Sequence, residues 1–540
     1  MPFRPLQIAV AAGVIVSSAA GGRVANSAEV APIAAHPATP PKLIVFITVD
    51  QLRGDMLDRY RADLKYGFAR LLRGARFVNA FQDHAITETA PGHASTMSGR
   101  FPASTGITSN LAGVIDPNFH LLTGLRGEAG ASPVRFQGTT LTDWLTTKDS
   151  RTRALSVSMK DRAAILPIGR SKQDVYWYSA NGSFTTSNYY RDTLPTWVAD
   201  FNARRIPAGY AGAAWTLSRD STKYPEPDLV AYENRGVNNV FPHLFPADTL
   251  GASSVLRATP TMDSLTALFA LEGLRQTGIG RDAHTDILAV SFSATDLIGH
   301  AYGPDSREAH ENEIRLDQTL GWFLDSLFKL RDSNTVMIAL TGDHGMSPIP
   351  ELARDRGQAT GDQGLRVSLR DEVDAVRAGL RAAGADTTAF DYDLQLVALD
   401  RPALARAHLN ADSILDAFGR AIRKVPGVAR VDHIATLRAA NFARDPIARR
   451  WAHQIPVNSP VEVVITLTRY SYWSSIVATH GSPYDQDASV PIIFWGRWAK
   501  PGRYTTFARV VDMGPTLAAI AGVKPTERVD GVVLREAIRK

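Results

Sequence analysis

LIVFITVD (residues 43–50) is a strand-like apolar run that ends on an aspartate, and the same pattern recurs far along the chain. DILAVSFSATDLIGH (286–300) leads into Asp296 and His300, and TVMIALTGDHG (335–345) leads into Asp343 and His344. In an open α/β sheet, residues just past the carboxyl ends of strands converge on one crevice. A fourth segment, VATHGSP (477–483), brings His480 on a loop. The spacing therefore predicts an α/β fold whose strand ends deliver three Asp and three His to one place. Carboxylate oxygen and imidazole nitrogen both ligate zinc, and six such donors suit two zinc ions.

Each residue also has a plainer reading. Asp50 alone could cap a turn, and Asp296 and His300, four apart, share one face if the chain turns helical. Asp343 and His344 are adjacent, so they act together only on a turn, which Gly342 and Gly345 permit. It is the full set that favours ligation. Between the first two segments, ITETAPGHASTMSGR (86–100) puts Thr89 at a loop-to-helix junction. A hydroxyl beside a metal and the positive end of a helix suits an alkoxide nucleophile. His93, four residues on, reads as packing or as support for that loop. His84 carries no ligand role.

The rest of the chain is organised around these segments. DMLDRYRADLKYGFARLLRGA (55–75) has helical spacing, as do SLTALFALEGLRQTG (264–278) and SREAHENEIRLDQTLGWFLDSLFKLRD (306–332). Residues 165–255 are rich in Tyr, Trp, Asn, Gly and Pro and read as an inserted lid. Residues 351–475 hold DYDLQLVAL, ADSILDAFGRAIRKVPG, VARVDHI and VEVVITL, a β-α-β-β order that reads as a small α+β subdomain or as an extension of the main sheet. With 540 residues, 44% hydrophobic and 21% charged, the chain has ordinary globular composition and room for such insertions.

MPFR followed by LQIAVAAGVIVSSAA has the form of a signal peptide occupying residues 1–28, with cleavage after Ala20, Ser27 or Ala28; an uncleaved anchor is the alternative. A catalytic domain would then fill 40–540, in the periplasm or secreted, with no membrane span after cleavage. No Cys is present, which excludes disulfides, a lipoprotein anchor and the Cys precursor of a sulfatase's formylglycine. The net charge of +5 is small, and no basic block argues for nucleic acid as an obligate partner.

In order and wording, TVD, TETAPGHASTMSGR, TDLIGH, TGDHGM and THGSP resemble the alkaline phosphatase superfamily, in its nucleotide pyrophosphatase/phosphodiesterase-like branch with a Thr nucleophile. Within that branch the chain is most similar to bacterial zinc alkaline phosphatases with a Lys-x-Arg pair, and VVDMGPTLAAIAGV (510–523) resembles the last core helix. The resemblance implies a three-layer α/β/α sandwich with a mostly parallel central sheet. It divides the ligands of two zinc ions into Asp296, His300, His480 and Asp50, Asp343, His344, with Thr89 reaching toward the second. It also implies that Asn110, Lys160 and Arg162 hold the nonbridging oxygens of a phosphate.

Charge decides the substrate class. Two Zn²⁺ against three carboxylates leave a site of net +1, and a Thr89 alkoxide makes it nearly neutral. A phosphate monoester dianion then needs the Lys160/Arg162 pair, whereas a diester needs an apolar slot. The expectation is a phosphate monoesterase acting on small-molecule phosphate esters through a phosphothreonine on Thr89, with weaker diesterase activity. The alternative is a phosphodiesterase or nucleotide pyrophosphatase on the same scaffold. Oligomeric state is left open.

Overall fold

A computed structural model describes residues 39–473 and 476–539; the expected signal peptide and its cleavage site lie outside the described residues. Nine strands form a central sheet: β1 (Leu43–Val49), β2 (Ala75–Phe77), β3 (Ala154–Ser158), β4 (Asp174–Tyr178), β5 (Phe184–Thr185), β6 (Asp286–Phe292), β7 (Val336–Gly342), β8 (Ile492–Trp495) and β9 (Gly502–Tyr504). Their order is β9-β2-β8-β7-β1-β6-β3-β4-β5. The five central strands from β7 to β4 run parallel, and the antiparallel pairings involve β8 and the edge strand β5.

Side-chain alternation along β1 shows why two helical layers are needed. Leu43, Val45, Ile47 and Val49 join one apolar cluster, and Ile44 and Phe46 join another on the opposite face. Strands β6 and β7 alternate in the same sense. A strand buried on both sides belongs to a parallel sheet covered by helices on both faces.

Six helices matter for that cover: α1 (Thr89–Ser98), α2 (Asp161–Ile165), α3 (Pro260–Thr277), α4 (Ala294–Tyr302), α5 (Arg307–Leu330) and α6 (Met513–Ile520). The first layer takes Leu265 and Phe269 of α3, Ile298 of α4, and Leu316, Leu320, Phe323 and Leu327 of α5. The second takes Ala94 and Met97 of α1, Ile165 of α2, and Met513 and Leu517 of α6. The molecule is the expected three-layer α/β/α sandwich.

Three local readings of the sequence are corrected. The stretch 55–75 is not one helix; it forms two short ones, Met56–Arg59 and Gly67–Leu71. The buried Asp317 of α5 explains the break, because its carboxylate accepts the backbone N–H groups of Lys65, Tyr66 and Phe68 at 2.6, 2.8 and 2.7 Å. Those donors are turned away from a continuous helix. The aromatic run DVYWY, at the start of the stretch expected as a lid, continues the central sheet as β4, since Val175 to Tyr178 are buried in it.

Residues within 351–475 build a separate four-stranded antiparallel sheet of Phe390–Asp393, Leu396–Leu399, Val461–Leu467 and Val428–His433. DYDLQLVAL is thus a hairpin rather than one strand, turning at Leu394, where φ is +49°. This sheet shares an apolar cluster of its own with the helices Arg370–Ala382 and Ala411–Ile422, through Leu380, Phe390, Leu415, Phe418 and Ile465. Among the described residues, no helix is long and apolar enough to cross a membrane.

Candidate metal centre and active site

Four adjacent parallel strands, β7, β1, β6 and β3, end level with one another: Val49 pairs with both Gly342 and Phe292, and Ser158 with Ser291. Asp343 follows β7, Asp50 follows β1, Asp296 lies in the first turn of α4 after β6, and Lys160 lies between β3 and α2. Thr89 is the first residue of α1, whose amino end faces the same crevice. Gly92 makes that approach possible, because a Cβ there would stand 2.1 Å from the Asp343 carbonyl oxygen.

The imidazoles are fixed from behind. Backbone carbonyls can only accept, so each ring must donate through Nδ1: His300 to Ala478 at 2.8 Å, His480 to Thr87 at 2.7 Å and His344 to Gly345 at 2.9 Å. In the neutral ring this leaves every Nε2 with a lone pair turned to the cluster. His300 Nε2 and His480 Nε2 face Asp296 Oδ1 at 3.3 and 3.4 Å, and His344 Nε2 faces Asp50 Oδ1 at 3.4 Å and Asp343 Oδ2 at 3.6 Å. The His344 and His480 rings stack with centroids 3.6 Å apart.

Acceptors facing acceptors in a buried place need a cation between them. Asp50 Oδ1 and His344 Nε2 are buried without a hydrogen-bond partner, while Asp50 Oδ2 meets the Lys160 ammonium and Asp343 Oδ2 the His93 ring. The donor atoms of Asp296, His300 and His480 lie within 4.8 Å of one another, and so do those of Asp50, Asp296 and His344. Nitrogen and carboxylate oxygen donors held from behind by carbonyls fit zinc. Without a metal, burial opposes charge on His344, yet the Asp343 and Asp50 carboxylates outweigh it and hold the pKa of the ring up to about 9, so a proton on Nε2 is the alternative to a metal ion there.

Lys160 is the cation the chain itself supplies. Its Nζ is 2.6 Å from Asp50 Oδ2, in ion-pair contact with Asp296, and 3.3 Å from Thr89 Oγ1. Asn110 sits beside the start of α1: its Oδ1 accepts the Ala90 N–H at 2.9 Å, and its backbone N–H donates to Glu88 Oε2 at 2.6 Å. Arg162, in the first turn of α2, is not drawn into the cluster; its Nη1 stands 3.6 Å from Asp161 and its buried Nε has no hydrogen-bond partner.

Two residues at the site carried no strong sequence signal. The sequence leaves His93 as packing or as support for the loop at Thr89, and its contacts are of the second kind: Nδ1 meets the Thr89 carbonyl at 2.9 Å and Asp343 Oδ2 at 3.1 Å, while Nε2 meets Ser291 Oγ at 2.9 Å. Only its place one helical turn after Thr89 hinted at this. Gln51, next to Asp50, donates to both Asp343 and Asp296. His84 is fully buried, and burial pushes its pKa down to about 3.

The fold and this crevice define a class. The model of the type I phosphodiesterase/nucleotide pyrophosphatase family matches residues 44–413, and the chain belongs to that family, within the alkaline phosphatase superfamily. It is 30% identical to the alkaline phosphatase PhoV of Synechococcus elongatus, over 92% of this chain and 93% of that one. It is 31% identical to the alkaline phosphatase PhoK of Sphingomonas sp, over 92% of this chain and 91% of that one. The crystal structure of the alkaline phosphatase PafA superposes with a TM-score of 0.85 at 27% identity, covering 93% of this chain and 99% of that one.

Proposed function

We propose that this chain is a zinc-dependent phosphoric monoester hydrolase, an alkaline phosphatase that works through a phosphothreonine on Thr89. The observation that carries the reading is Lys160 Nζ at 3.3 Å from Thr89 Oγ1, beside three buried carboxylates, the buried His344 and the partly buried His300 and His480. Bacterial alkaline phosphatases similar along nine-tenths of the chain support it.

Asp296, His300 and His480 would hold one zinc, and Asp50, Asp343 and His344 the other. When bound, the ions supply Lewis acidity for the attacking and leaving oxygens. Thr89 Oγ1 gives up its proton to water and attacks phosphorus, the bond from phosphorus to the leaving oxygen breaks, and that oxygen takes a proton from water to depart as the alcohol. Lys160, Arg162 and the Asn110 amide NH₂ hold nonbridging oxygens, and the amino end of α1 favours the added negative charge. Water then hydrolyses the phosphothreonine, releasing inorganic phosphate and restoring the hydroxyl.

The described residues within 351–475 form a subdomain walling the His480 side, where Gln395 Nε2 donates to the Gly481 carbonyl at 3.0 Å. The N-terminal basic and apolar stretch supports export to the periplasm or secretion.

A phosphodiesterase reading is kept because the matching family model is described by that activity. Initial rates on p-nitrophenyl phosphate and on its bis-ester separate the two. The monoester should be turned over with the higher kcat/KM; a bis-ester preference would overturn the monoesterase reading in favour of the diesterase.

A further inference from the structure

Gln51 follows Asp50 at the end of β1 and is buried with φ of +69°. Side chains rarely adopt this left-handed conformation. Where one persists, the surroundings must hold it in place. The conformation sends the two donors of one residue to two different carboxylates. The backbone N–H reaches Asp343 Oδ1 at 2.9 Å. The side-chain Nε2 reaches Asp296 Oδ1 at 3.1 Å and the Asp296 carbonyl at 3.4 Å.

Asp296 Oδ1 is also the oxygen that His300 and His480 face, so the bond from Gln51 sets the rotation of the carboxylate where the imidazoles meet it. Space for the amide comes from Gly299 of α4, where a Cβ would stand 1.7 Å from Gln51 Oε1. The glycine of DLIGH therefore has a specific task one residue before His300.

We propose that Gln51 is a positioning residue that fixes the Asp296 group and the Asp343 group relative to each other, so that the two zinc-binding groups are built at one spacing. The inference rests on the two-zinc reading of the site. Gln51 touches neither substrate nor reacting atoms; it acts through the ligands.

The test counts zinc per purified chain and measures its release to a chromophoric chelator, alongside the melting temperature of the metal-free protein. Gln51→Gly keeps the backbone N–H and suits the left-handed conformation but removes the side-chain donor; zinc retention should fall about 10- to 100-fold. Gln51→Met refills the space without a donor and should stay equally weak. Gly299→Ala, a change that ordinarily favours a helix, should weaken zinc retention by displacing the amide. Combined with Gln51→Gly it should add little, because both changes break the same contact.

If Gln51→Met holds zinc as tightly as the wild type, the residue only fills space and the inference is overturned. Additive losses in the double variant would also overturn it, as would zinc loss that merely tracks a lower metal-free melting temperature. A wild-type chain that holds no zinc would overturn the zinc reading itself, and this inference with it.

Discussion

Lys160 Nζ stands 3.3 Å from Thr89 Oγ1 and 2.6 Å from Asp50 Oδ2, which places the chain's own cation between the Thr89 hydroxyl and the Asp50 carboxylate. A dianion brought to Thr89 meets that ammonium directly. Charge-assisted contacts of this kind are worth roughly 1.5–3 kcal/mol each, and more of that is realised against a dianion than a monoanion. Replacing Lys160 and Arg162 together with Ala should therefore lower monoester kcat/KM by at least ~100-fold and diester kcat/KM much less. The two single variants should differ, with Lys160→Ala the worse, because Lys160 contacts Thr89, Asp50 and Asp296 whereas Arg162 stands against Asp161. Equal losses on both substrates would show that the pair only holds the site together.

Thr89 offers a cleaner test of the covalent route. Thr89→Ala should lose at least ~1000-fold in kcat while still binding inorganic phosphate, because the cations stay in place. Thr89→Ser keeps the hydroxyl and should retain partial turnover. A brief quench of the wild-type reaction should trap phosphate on Thr89, detectable by mass spectrometry of the peptide spanning residues 86–100. An Ala variant with near wild-type rate would mean direct attack by water.

Zinc removal should affect both activity and stability. The site brings buried acceptor atoms face to face: Asp50 Oδ1 and Asp343 Oδ2 both stand opposite His344 Nε2, at 3.4 and 3.6 Å. Dialysis against a strong chelator should abolish turnover and lower the melting temperature, and added Zn²⁺ should restore both in a concentration-dependent way. Metal analysis should give about two zinc per chain. Unchanged activity after exhaustive chelation would refute the metal reading.

Much of this was legible because chemistry and local structure coincide at strand ends. Asp50, Asp343 and Asp296 stand within a few residues of apolar runs, so one look at periodicity finds both the sheet and the site. The break between Met56–Arg59 and Gly67–Leu71 was not legible, because its cause is Asp317, more than 240 residues away. Gln51 was equally silent: its role depends on a backbone angle and on Gly299 opposite, neither of which residue type reveals. Arg162 shows the converse, since its pairing with Lys160 in sequence does not bring its guanidinium into the cluster.

Acid stability should depend on a residue outside the cluster. His84 is fully buried, and burial pushes its folded-state pKa down to about 3, against about 6.5 for an ordinary histidine. Below that ordinary value the unfolded chain takes up a proton that the folded chain refuses. The unfolded state then binds more protons, so stability falls as pH drops from about 6.5 toward 3. The slope from this group approaches ~1.4 kcal/mol per pH unit. His84→Phe removes the titration while keeping a ring of similar size. Urea unfolding of metal-free wild type and variant at about pH 6 and about pH 4.5 should show the variant losing ~2 kcal/mol less across that interval. Performing both arms without metal keeps proton competition at the zinc ligands out of the difference. Equal losses in the two proteins would mean that His84 is protonated in the folded state after all.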